Sequence, residues 1–139
     1  MLKEAAKSIL ATFLSTSVYV RLNAVASTRK IVSRKLWEPE IDRISPFIHQ
    51  GDTVIDVGAN HGLYAFHLSR MVGLSGKVHC FEPIPPNYRV LRHTVESLHL
   101  DNVITFNAAC GAKTDQLTFG VPSSMASRNG NSLMAEVAR

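Results

Sequence analysis

The chain has 139 residues, enough for one domain and too few for two ordinary ones. A hydrophobic share of 45% against 19% charged residues excludes a disordered tail and leaves material for a core. The net charge of +4 is concentrated at one end: seven of the fifteen Lys/Arg (Lys3, Lys7, Arg21, Arg29, Lys30, Arg34, Lys35) precede residue 36 against one acid, Glu4, so the remainder is net acidic. Basicity confined to an extension, with no arginine run interleaved with aromatics, argues against a nucleic-acid partner. Cys80 and Cys110 give neither a metal spacing nor a disulfide framework, and read as reduced thiols of a cytoplasmic chain.

Lys3 and Lys7 lead an apolar run, Ile9 to Val20, that is broken by Thr12, Ser15, Thr16 and Ser17 and followed at once by Arg21. Ala24-Val25-Ala26 has the look of a cleavage site, but the breaks argue against a signal peptide, and the run is too short to span a bilayer. A helix is expected instead, with Leu2, Ala6, Ile9 and Phe13 on one side, joined by Leu10 and Leu14. Residues 1–37 are read as a basic helical extension that packs on the domain; the alternative is weak contact with an anionic membrane surface. Trp37 is expected to cover a sheet edge.

The domain proper, residues 38–139, opens on Glu38-Pro39-Glu40, a helix start with Pro39 at its first position. Ile41, Ile44 and Ile48 continue it, with a kink or restart at Pro46. Thr53 to Val57 is a β-branched run, suited to a strand buried on both faces. Tyr64, Leu68, Met71 and Val72 form a helical stripe closed by Gly73 and Gly76. Lys77 to Phe81 reads as a second strand, Leu91, Val95 and Leu98 as a second helix, and Val103 to Ala109 as a third strand. Gln116 to Val121 is expected to return antiparallel, residues 123–132 to be a polar loop, and the last seven to begin another element. Strands alternating so closely with helices imply a parallel sheet with right-handed crossovers. The fold class is therefore α/β and Rossmann-like: a βαβαβ half of a doubly wound fold plus an added strand.

Chemistry gathers in Asp56-Val57-Gly58-Ala59-Asn60-His61-Gly62, directly after a strand and before a helix. Ligands of open α/β sheets sit at the carboxyl ends of the strands, where strand order reverses. Gly58 and Gly62 let backbone turn sharply and approach a ligand closely. Amides at the helix start can donate to a carboxylate, while Asp56 suits an ammonium group. Glu82 ends the second strand 24 residues after Gly58, near where βαβ nucleotide sites place an acid on the ribose hydroxyls. A dinucleotide fingerprint, G-x-G-x-x-G, would need glycine where Asn60 stands, so an NAD-type oxidoreductase is the weaker alternative.

TVIDVGANHGLYAFHLSR, GKVHCFEPIPPNYRVLRHTV and NVITFNAACG together resemble the FkbM family of class I methyltransferases, over about residues 38–134. The resemblance implies transfer of a methyl group from S-adenosyl-L-methionine to a hydroxyl of a sugar, glycan or small natural product. It places Asp56, Gly58, Ala59, Asn60 and Gly62 at the methionine part, Glu82 at the ribose and Ala109 by the adenine. Family members continue into a strand carrying an acidic D-x-E-G segment, which does not occur here. The expectation is a fragment or a truncated, non-catalytic remnant, with the first strand left as an open apolar edge. Of the six histidines only His61 lies in the loop, where it is read as facing solvent; His67 and His93 are read on helix surfaces, and no catalytic base is assigned. Tyr64 is read as a core residue or a cofactor contact.

Overall fold

The computed structural model describes residues 16–36, 38–113, 115–120 and 132–138. The expected stripe of Leu2, Ala6, Ile9 and Phe13 lies outside them, as do Trp37 and most of the polar 123–132 segment. The residues after that stripe are helical: α1 runs Thr16–Val32. Ala24, Thr28 and Ile31, at helical spacing, are its buried positions. Two of the three are small or polar, so the hydrophobic pattern alone does not reveal this helix. α2 (Pro39–Ile44) starts on proline as expected, and a 3-10 turn, Ser45–Phe47, restarts the chain at Pro46. Among the described residues no helix is long and apolar enough to cross a membrane.

β1 (Thr53–Val57), α3 (Leu63–Val72), β2 (Lys77–Phe81), α4 (Pro85–Ser97) and β3 (Val103–Phe106) form the βαβαβ unit. The strands are parallel in the order β1-β2-β3. Register sets Val54, Val78 and Val103 side by side, and likewise Asp56, Cys80 and Thr105. This row faces the helices. With Ala65, Leu68 and Val72 of α3 and Leu91 of α4, the valines and Cys80 make up the main core. Burial pushes the Cys80 thiol well above its ordinary range, with the Asp56 charge adding to the effect. At the far end of the sheet Asn102 ties β3 to α3: its amide nitrogen donates to the Ser69 and Gly73 carbonyls (2.9 and 2.8 Å), and Ser69 Oγ donates to its Oδ1 (2.6 Å).

The opposite face of the sheet differs from expectation. Thr53–Val57 is covered on one face only: Ile55 is 63% and Val57 64% exposed, and Ile104 and Phe106 beside them are exposed too. Phe81 and Phe106 stack there at 4.7 Å, and the His79 ring lies parallel to Phe106 at 6.0 Å. The helices after β1 and β2 both cross over the same face, so neither crossover helix covers this one. Among the described residues β1 is also the open apolar edge anticipated from the sequence.

The third strand is shorter than expected. It breaks at Asn107, whose side chain donates to the Glu82 and Pro83 carbonyls (2.8 and 3.2 Å) and turns the chain out of the sheet. β4 (Ala108–Cys110) then enters a second sheet of order β4-β6-β5, with β5 (Gln116–Gly120) antiparallel to β6 (Ser132–Ala138). The expected antiparallel strand is thus present, but its partner is the last segment of the chain, and β6 is parallel to β4. Cys110, on β4, is exposed.

Candidate cofactor loop and its carboxylates

The segment 58–62 is a turn in left-handed backbone: φ is +84° at Gly58, +48° at Asn60 and +89° at Gly62. Gly58 N–H and Ala59 N–H both donate to the Phe81 carbonyl (2.9 and 3.0 Å), drawing the loop over the end of β2. At Gly58 a side chain would meet no protein atom within 4 Å, so glycine serves the backbone angle and leaves open space beside it. At Gly62 a Cβ would come within 3.1 Å of Leu91 Cδ1 and 3.3 Å of Thr94 Cγ2, so glycine there also lets the loop seat against α4. Ala59, expected beside a ligand, has its side chain in the core at 5% exposure. Asn60 is exposed and its N–H donates to Glu82 Oε2 at 2.9 Å. Gly62 caps α3, whose first i to i−4 bond is Phe66 N–H to the Gly62 carbonyl, so the amides of Leu63, Tyr64 and Ala65 lead the helix.

Asp56 and Glu82 stand at the carboxyl ends of neighbouring parallel strands. Burial raises the Asp56 carboxyl to about 6; the Cys80 thiol, 3.9 Å away and donating to Oδ2, works against the shift, and the Glu82 charge adds to it. Glu82 is buried, at 4% exposure. Its two oxygens accept from the Asn60 and Ile84 amides, each at 2.9 Å, so the carboxylate fixes both the glycine loop and the lead into α4. Ala109 is not gathered into this group: it lies beyond the Asn107 bend, paired with Val137 in the second sheet.

Two histidines sit otherwise than the sequence suggests, whereas Tyr64 packs on the core as one of its two readings expects. His61 is half-buried rather than facing solvent, with Nδ1 3.0 Å from Ser27 Oγ of α1, and burial holds its pKa below the ordinary value. His67 is buried rather than on a helix surface, edge-on to Phe66 at 5.0 Å, and burial followed by the Arg34 and Arg70 charges lowers its pKa. Tyr64 donates to Glu38 Oε2 at 2.7 Å, which raises its phenol to about 12, and packs against both apolar clusters. Asn107 escapes sequence reading altogether. Its one signal is an amide side chain, poorly suited to a strand, within the run Val103 to Ala109.

No family model matches the chain, and no curated protein matches it. Solved structures do. An S-adenosylmethionine-dependent O-methyltransferase of Thermotoga maritima matches at 24% identity over 58% of this chain and 33% of that one, with a TM-score of 0.50. Over the matched part, this is the methyltransferase fold. An S-adenosylmethionine-dependent methyltransferase of Aquifex aeolicus (29% identity, 58% and 46% of the two chains, TM-score 0.47) also matches. So does a chain described as an rRNA methylase, from Clostridium thermocellum (27%, 50% and 38%, TM-score 0.49). The chain spans less than half the length of each of these methyltransferases. In a fold of this class the ligand end is the carboxyl end of the strands, the end occupied here by Asp56, the 58–62 loop and Glu82. A shallow cleft of about 300 Å³, bordered by Ser69, Arg70, His99 and Asn102, is at the other end of the sheet.

Proposed function

We propose that residues 53–110 are the S-adenosyl-L-methionine-binding half of a methyltransferase acting on a hydroxyl of a sugar, glycan or small natural product, as the likeness to the FkbM family implies. One observation carries the reading: two carboxylates at the ends of adjacent parallel strands flank a left-handed glycine turn with open space at Gly58. The residues suit such a ligand. The part-buried Asp56 carboxyl, held near 6 by desolvation, gains most from a cation, and the methionine end carries an ammonium. Glu82 has a second lone pair on each oxygen beyond those facing Asn60 and Ile84, acceptor capacity for the ribose hydroxyls. Leading amides of α3 suit the methionine carboxylate. Ala109 is assigned to the adenine side by the resemblance alone.

The bound cofactor supplies an electrophilic methyl carbon. What these residues contribute is orientation: a fixed loop and two carboxylates set at the strand ends, which would hold the cofactor in one pose for an acceptor oxygen. A hydroxyl acceptor also profits from a general base, and none of the six histidines is assigned to that task. The free thiols Cys80 and Cys110 are in keeping with a cytoplasmic setting.

Calorimetric titration with S-adenosylhomocysteine and, separately, with NAD tests the reading. Saturable binding of the first alone is expected. Binding of NAD instead would make the chain an oxidoreductase domain, and a folded sample that takes up neither would make it a remnant without cofactor. Glu82→Ala is expected to weaken S-adenosylhomocysteine binding by about 1–3 kcal/mol, the scale for losing hydrogen bonds to a charged group. Unchanged affinity would remove Glu82 from the site.

A further inference from the structure

We infer that α1 is a clasp on the cofactor loop, and that Thr94 is the positioning residue through which it acts. Thr94 is fully buried on α4. Its hydroxyl lies 3.0 Å from the His61 carbonyl and 3.2 Å from Thr28 Oγ1 of α1. A carbonyl only accepts, and a threonine hydroxyl has one proton to give. Thr94 therefore donates to His61 and accepts from Thr28, so the proton that heads this buried chain comes from α1. Beside it, Ser27 of α1 meets the His61 ring at 3.0 Å.

The tied carbonyl belongs to His61, which stands between Asn60 and Gly62, both in left-handed backbone. A turn of that kind persists only where its surroundings fix it. From one side the Asn60 amide is held by Glu82; from the other the His61 carbonyl is held by Thr94, with Gly62 seated on Leu91 and Thr94. Thr94 and Thr28 are buried behind the loop, whereas Gly58 and Asn60 are exposed in front of it. The N-terminal helix thus sets the loop without lining the ligand space. Linkage then requires the reverse: whatever fills the loop must steady the docking of α1. The inference rests on the reading of 58–62 as the cofactor loop.

The test compares the full-length chain with Thr94→Val, Thr94→Ser and Thr28→Val, each confirmed folded by circular dichroism. S-adenosylhomocysteine affinity is measured by calorimetry, and hydrogen exchange of residues 16–32 is followed with and without the ligand. Both valine variants are expected to lose affinity about five- to tenfold, the scale of one buried hydrogen bond. The serine variant, which restores the hydroxyl, is expected to bind like the parent, and ligand is expected to slow exchange in α1 of the parent. A folded Thr94→Val protein with parental affinity, or a parent whose α1 exchange ignores the ligand, would overturn the clasp. Should Thr94→Val not fold, Thr28→Val decides by the same criterion. A parent that binds no S-adenosylhomocysteine overturns the loop reading itself, a result separable from a parent that binds and variants that bind equally well.

Discussion

The two faces of the parallel sheet come from the same short strands, and they fare differently. On one, Val78, Cys80 and Val103 disappear beneath α3 and α4 and Val54 is partly covered; on the other, Ile55, Val57, Ile104 and Phe106 remain exposed. In β1 both rows are aliphatic apart from Thr53 and Asp56, so composition cannot tell them apart. What separates them is that both crossover helices pass over a single face. Parallel sheets are ordinarily covered on both sides, and a contiguous apolar face of this kind is uncommon on a soluble monomer. Hydrophobic sequence thus records what a strand is suited to bury against. It does not record whether a covering element is supplied.

Substitutions matched across the sheet would sharpen the contrast. The largest effect is expected beneath the helices: Leu91→Ala, at a site with no exposure, should cost about 2–5 kcal/mol in a denaturant melt. A cost under about 1 kcal/mol would mean that this face is no better packed than the other. Asp56 comes next, since it lies in the covered row but carries a charge. Its folded pKa of about 6 exceeds the ordinary 3.8, so between those values the folded state holds more protons than the unfolded one. Stability from this group is greatest at low pH and is lost as pH rises through about 6. Asp56→Asn should accordingly gain about 1–2 kcal/mol at pH 7, less than the full linkage of the shift because the carboxyl keeps some contact with water. Thermal melts from about pH 4 to 7 on parent and variant would show it, and parallel curves would refute it. Ligand affinity should run the other way, since only the charged carboxylate pairs with an ammonium. S-adenosylhomocysteine binding to the parent should therefore strengthen between about pH 5 and 7. The smallest effect is expected on the bare face: Ile55→Thr should change stability by no more than about 0.5 kcal/mol while lowering the binding of a hydrophobic dye. A large loss would show that Ile55 is buried in solution by something that covers the sheet.

Much of the fold can be read from local pattern. Lys77–Phe81 is the strand expected, and the stripe through Leu68 and Val72 lies on α3 as expected. The loop is legible because positive φ at Gly58 and Gly62 leaves a chemical trace, glycine. Features decided at long range escape such reading. The break at Asn107 depends on carbonyls 24 and 25 residues away, and the burial of His61 depends on Ser27 of a helix 34 residues earlier. That helix is itself obscured, because Ala24 and Thr28 pack through small size and a hydroxyl rather than through apolar bulk. Ala109 is assigned by resemblance, and the turn at Asn107 carries it into another sheet.

The contrast between the chain's two thiols has a practical use. Cys80 is sealed in the core with its ionisation suppressed, while Cys110 is exposed at the rim of β4. Alkylation depends on thiolate and access together, so a maleimide dye applied to the native protein should mark Cys110 and spare Cys80. Because β4 is paired to β6 from the far end of the chain, a fluorophore there would report when the closing strand docks, without any engineered cysteine.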